Sequence, residues 1–216
     1  MLAVIASCGL GVLIGMRHAM EPDHLAAVST LVADEPRPRR ASLLGAFWGI
    51  GHSISLLGAG ALLLALRVEM PPRLADSFEL LVAFVLVALG ARSLLTVRRK
   101  AMVHSHGGQP PHVHLGPLAL GVRPFAVGVA HGLAGTGALT AIALATMPSP
   151  RAALVWMAAF AFGSILGMAL ISGVAGFPLQ KLSQRPKAQA ALLGAVGTLS
   201  LAVGVFWGAL AIGRLL

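Results

Sequence analysis

Eight consecutive positions, Arg17-His18-Ala19-Met20-Glu21-Pro22-Asp23-His24, hold five ionisable groups, and these include two imidazoles and two carboxylates. His18, Asp23 and His24 form a mixed nitrogen and oxygen ligand set. Such a set suits nickel, cobalt, zinc or iron as divalent ions and suits calcium or magnesium poorly. Spacing decides whether the three can converge. On an unbroken helix His18 and Asp23 differ by about 140°, with His24 about 100° further round, so the side chains address three faces. They meet only if the helix breaks between them, and Pro22 is where a break is expected. Proline has no N–H to offer the carbonyl of His18, and its ring pushes against that carbonyl. Glu21 adds a second carboxylate. Arg17, four residues earlier, is spaced to pair with it, which would leave Asp23 as the net charge facing a cation. In the plain alternative Arg17 snorkels, Glu21 faces water and no metal is involved.

Three further histidine groups invite the same question. His52 lies in Gly49-Ile50-Gly51-His52-Ser53, where the small residues, Ser53 included, would let another helix approach closely. His131 opens His131-Gly132-Leu133-Ala134-Gly135-Thr136-Gly137, with Thr136 and Thr140 on or near its face. Each could equally be a hydrogen-bonded packing residue in an apolar helix. His104, His106, His112 and His114 fall within eleven residues of a polar stretch. Clusters of this kind chelate transition metals weakly and would suit capture or hand-off of an ion, unless they are merely part of a linker.

The elements that carry these residues follow from composition. Of 216 residues 57% are apolar and 11% charged, with a mean hydropathy of +0.86. A soluble domain carries roughly 25% charged residues, so the chain reads as an all-α integral membrane protein in contact with lipid. One cysteine, Cys8, excludes a disulfide framework and a dithiol relay. Six apolar runs long enough to span a bilayer are expected at 2–32, 41–66, 77–97, 119–146, 152–176 and 188–213, with a histidine-rich loop over 98–118. The first, about 46 Å long as one helix, is too long for one crossing and too short for two. Ionisable groups in its middle mark a functional site by default. None of the runs has the form of a cleavable signal.

Ten of the sixteen basic residues fall in the loops after the first, third and fifth runs, and four on the opposite side. By the positive-inside rule the ten-charge side is cytoplasmic, both termini lie outside and the histidine-rich loop lies inside, in a cytoplasmic (inner) membrane. The formal charge of +9 is therefore a topology signal rather than a nucleic-acid footprint. The halves resemble each other weakly. A shift of 113 residues lays Gly15-Met16-Arg17-His18 on Gly128-Val129-Ala130-His131 and Pro22 on Gly135. Three spans per half would make this a 3+3 inverted repeat, as in many transporters.

Enzyme signatures are missing: there is no His-Glu-x-x-His, no Gly-x-Ser-x-Gly and no phosphate-binding glycine loop. Arg17 to Leu25 resembles the R-H-A-x-D-A-D-H-I signature of the nickel/cobalt transporter family, and Gly51-His52-Ser53 resembles its L-G-H-S motif. The His131–Thr136 segment is similar to the UreH-like and HupE/UreJ-like branch, associated with urease and hydrogenase maturation. The resemblance implies permeation of Ni²⁺ or Co²⁺ through a helical bundle, with His18, Asp23, His24 and His52 essential and the ion as cargo rather than resident cofactor. It also implies nickel-enzyme maturation proteins as partners. The chain departs from the signature at Glu21, where the family has aspartate, and at Pro22, where it has alanine. It also lacks the acidic motifs of the larger permeases' second half. Two other readings stay open at this point: a non-transporting membrane protein that delivers nickel to a maturation complex, and a membrane metalloenzyme.

Overall fold

The computed structural model describes residues 2–33, 35, 37–102, 117–182 and 184–216. Among these the chain is all-helical, without strands, in seven helices: α1 (Leu2–His18), α2 (Pro22–Val32), α3 (Pro38–Leu66), α4 (Pro72–Met102), α5 (Pro117–Thr146), α6 (Pro150–Leu182) and α7 (Pro186–Leu215). Every helix after α1 opens on a proline, whose fixed φ suits a first turn and whose missing N–H is not needed there. Five helices, α3 to α7, are long and apolar enough to cross a membrane, as in a multi-pass membrane protein. The helices overrun the apolar runs by several residues at most ends, because a helix continues into polar residues where a hydropathy run stops.

The expected break in the first run is present, and its cause is local. Glu21, which precedes Pro22, has ψ 149°, the extended backbone that proline imposes on its predecessor. The carbonyl of His18, which Pro22 cannot serve, accepts the Glu21 N–H at 3.0 Å, and Arg17 O accepts the Met20 N–H at 2.9 Å. The last turn tightens and its backbone groups stay paired. Gly135, which aligns with Pro22, leaves α5 unbroken, because glycine keeps its N–H. Among the described residues only α1 and α2 form a broken pair.

In the bundle α3 packs along both α5 and α6, α1 along α6, and α4 along α7, while the short α2 sits among α7, α4, α6 and α3. Ala26, Ala27 and Val32 of α2 are wholly buried, while Leu25 is exposed. Large apolar side chains such as Phe84, Phe162, Val174 and Phe206 cover the outer faces.

Small residues let the backbones touch. A methyl group on Gly15 would overlap the Phe160 carbonyl, and one on Gly163 the Val12 carbonyl, at the α1–α6 contact. At the α5–α3 contact the same holds for Gly128 against the Trp48 carbonyl and for Gly51 against the Phe125 carbonyl. Serine hydroxyls add bonds between helices: Ser53 Oγ donates to Ala161 O at 3.1 Å, Ser93 Oγ to Leu193 O at 2.9 Å and Ser200 Oγ to Leu86 O at 2.9 Å.

Gly128→Val should therefore destabilise the purified protein by about 1–3 kcal/mol through overpacking. Gly58→Ala, where nothing lies within 4 Å of the added methyl, should leave it as stable or more so. Thermal unfolding in detergent would check both, and equal stability of the two variants would refute the close α3–α5 contact.

Candidate metal site

The break brings together what an unbroken helix would separate. His18 ends α1, and Asp23 and His24 fill the first turn of α2, where a carboxylate is also favoured by the helix N-terminus. His52 arrives from the middle of α3 and His131 from α5. Ring centroids are 4.4 Å apart for His18 and His24, 5.2 Å for His18 and His52, 5.3 Å for His24 and His52, and 5.4 Å for His24 and His131. Ligand atoms of His18, His24 and His52 all lie within 4.8 Å of one another, and so do those of Glu21, Asp23 and His24. Asp23, His24, His52 and His131 are each at most 6% exposed. His131 reaches the cluster because glycines flank it: Gly128 and Gly132 both press on the backbone of α3 at His52.

Hydrogen bonds at the rim orient the rings. His131 Nδ1 lies 3.0 Å from Val127 O. A carbonyl only accepts, so Nδ1 carries the proton and the neutral ring keeps its Nε2 lone pair for the cluster. His18 Nδ1 lies 3.0 Å from a Glu21 carboxylate oxygen, which by the same logic turns His18 Nε2 inward. An imidazole held by a carboxylate or carbonyl at one nitrogen and free at the other is the usual form of a metal-ligating histidine. His24 Nδ1 approaches Asp23 Oδ1 to 3.0 Å, off the line of a hydrogen bond.

Besides the Asp23 Oδ1 and His24 Nδ1 atoms that face each other, five buried nitrogen atoms in this cluster have no hydrogen-bond partner among the described residues: His18 Nε2, His24 Nε2, both ring nitrogens of His52, and His131 Nε2. At roughly 1–3 kcal/mol each, leaving them so would cost on the order of 10 kcal/mol. That is comparable to the whole stability of a domain. Packing alone does not account for such a set, whereas a divalent cation would satisfy several of its members at once.

The remaining expected site residues fall elsewhere. Glu21 pairs with His18 instead of Arg17, because α1 ends at His18 and the four-residue helical spacing is lost; Arg17 is exposed. Ser53 is spent on Ala161 of α6. Thr136 is fully buried and donates to its own helix at Gly132 O, 2.6 Å away. His104, His106, His112 and His114 lie outside the described residues. Two aromatic walls escaped the sequence reading. Trp48 sits 5.3 Å from His24 and 5.8 Å from His131, and Phe160 sits 5.2 Å from His18, all between ring centroids. Trp48 precedes His52 by four residues and so shares its helix face, a usable signal. Phe160 comes from α6 and had none.

No family model matches the chain. It is 30% identical over 204 residues to the urease accessory protein UreH of Bacillus sp. (strain TB-90), covering 92% of this chain and 88% of that protein. It is 27% identical over 170 residues to the chloroplast protein FOR GROWTH AND FERTILITY 2 of Arabidopsis thaliana, covering 76% of the chain and 45% of that protein. The chloroplast protein FOR GROWTH AND FERTILITY 1 of the same plant is 24% identical over 192 residues, 84% of the chain and 52% of that protein. The chain thus spans about half the length of the two plant proteins. No solved structure matches it.

Since Trp48 adjoins two of the four histidines, Ni²⁺ or Co²⁺ should quench a fraction of the tryptophan emission that disappears in Trp48→Phe. Acidification should abolish the quenching, since imidazoles ligate only when neutral. Quenching unaltered by Trp48→Phe would argue for binding elsewhere.

Proposed function

The chain belongs to the family of the urease accessory protein UreH, and on that premise we propose that it carries a divalent transition-metal ion, nickel or cobalt first, across a membrane. The observation that carries this reading is the convergence of His18, Asp23, His24, His52 and His131 deep in an apolar bundle, at the one helix that breaks. Three or four mixed nitrogen and oxygen ligands are enough to replace an ion's water and few enough to release it. Nickel or cobalt rests on the ligand types and on the resemblance of the Arg17–Leu25 and Gly51–Ser53 motifs to nickel/cobalt transporters. A relative named for urease agrees with nickel.

The proposed architecture has six crossings, with α1 and α2 together making the first, in a 3+3 inverted repeat. Contact registers support the repeat. Gly15 packs on Phe160 and Ser164, and Gly128 packs on Trp48 and His52; Gly163 packs on Val12, and Gly51 on Phe125. The α1 positions Val12 and Gly15 precede Phe125 and Gly128 of α5 by 113 residues. The α3 positions Trp48, Gly51 and His52 precede Phe160, Gly163 and Ser164 of α6 by 112. The bonds Ser93 to Leu193 and Ser200 to Leu86 are exchanged likewise by an offset of 107. The basic loops then face the cytoplasm. The inner membrane is the proposed location, and proteins of nickel-enzyme maturation are the proposed partners.

A second reading has one observation in its favour, the words "accessory protein" in the relative's name. In that reading the site binds metal and passes it to a partner without moving it across the bilayer. Protein reconstituted alone into liposomes separates the two, because only a transporter loads radioactive nickel into the lumen. His18→Ala, Asp23→Ala or His24→Ala should abolish that flux while leaving membrane insertion intact. Wild-type flux in any of the three would overturn the site assignment.

A further inference from the structure

The broken motif holds two overlapping ligand groups of different chemistry, which share His24 and differ in that one includes the exposed Glu21. Glu21, Asp23 and His24 are two carboxylates and one imidazole; His18, His24 and His52 are three imidazoles. The Glu21 side chain is 51% exposed, whereas Asp23 and His24 are buried and His52 is wholly so. A cavity of about 620 Å³ runs from Ile142 and Leu139 on α5 to Glu21 and His18. Asp23, His24 and His52 are not among the residues that line it. Of the ligands only Glu21 and His18 line it, with Arg17 beside them; Glu21 is much the more exposed of the two, 51% against 15%, so an entering ion meets its carboxylate first.

We propose that the motif is a two-station transfer device. A hydrated divalent transition-metal cation lands on Glu21, Asp23 and His24, then passes to His18, His24 and His52, with His24 common to both stations. This rests on the transport reading above and assigns an order to its site. Chemistry supplies the direction of the step. Carboxylate oxygens readily replace water around a hydrated ion, and imidazole nitrogens then hold nickel or cobalt with the greater preference. The shared His24 keeps the ion ligated throughout, which its free Nε2 permits. Glu21 has a second task. Its contact with His18 Nδ1 fixes the ring that belongs to the inner station. An ion that takes Glu21 frees His18, and an ion that moves inward returns Glu21 to His18. No proton leaves either residue in this exchange; only water is released.

The test uses the full-length protein in detergent with Co²⁺ alone as probe, followed by stopped-flow visible absorbance. Wild type should settle to the intense band of nitrogen-rich, low-coordinate Co²⁺. Glu21→Gln keeps an amide oxygen for His18 Nδ1, so it should reach the same final band roughly tenfold more slowly, having lost the attracting charge at the cavity. His52→Ala should stop the ion at the outer station and give a weaker band at shorter wavelength, as oxygen-rich Co²⁺ does. Loading of Glu21→Gln at the wild-type rate, or a wild-type band in His52→Ala, would overturn the two-station order even if liposome flux is intact. Wild-type protein that neither takes up Co²⁺ nor fills liposomes would overturn the transport reading and this inference with it.

Discussion

The centre of this bundle depends on one backbone hydrogen bond that Pro22 cannot make. In an apolar surround an unpaired carbonyl costs several kcal/mol. The chain therefore ends α1 at His18 and gives that carbonyl to the Glu21 N–H. Two helix ends result where a continuous span would have none. One presents His18, and the other presents Asp23 and His24 at a helix N-terminus, where negative charge is favoured. The same proline that interrupts the ladder provides a good first residue for α2. Break and candidate ligand set are one arrangement.

The break would be of little use if the neighbouring helices stayed at ordinary distance. Side chains at a typical crossing hold helix axes 8–10 Å apart. Gly51, Gly128 and Gly132 remove that spacing between α3 and α5, so the backbones touch on either side of His131. Gly15 and Gly163 do the same for α1 on α6 and set Phe160 against His18. The high glycine content and the scarcity of polar residues thus have a common cause. Small residues bring the backbones close, and the few polar side chains are concentrated where the backbones meet.

Much of this was legible in the sequence because its signals are local. A proline four residues after a histidine announces a break, and a histidine amid glycines announces a buried crossing. The apolar runs gave the helices, with ends short by a few residues because α4 and α6 continue well past their last apolar stretch. The Arg17–Glu21 pair failed for an instructive reason: the spacing argument assumed a helix that the neighbouring proline ends. Phe160 against His18 and the contact of Ser53 with Ala161 come from α6, more than a hundred residues beyond the side chains they meet. No local pattern encodes such partners, and only the packing of α1 and α3 on α6 brings them together.

Within the proposed repeat, the two halves divide the work unevenly. The mate of His18 is His131, but the mates of Asp23, His24 and His52 are Thr136, Gly137 and Ser164. The two hydroxyls are occupied by their own helices, Thr136 at Gly132 O and Ser164 at Phe160 O. The second half therefore contributes a single imidazole to the cluster. With the same asymmetry, α5 runs through Gly135 without interruption, since glycine keeps the N–H that Pro22 lacks. The proposed repeat and the one-sided candidate site are compatible because they rest on different residues. Gly15 is matched by Gly128 and Gly51 by Gly163, while the groups that would meet an ion are gathered almost entirely in the half where proline divides the helix.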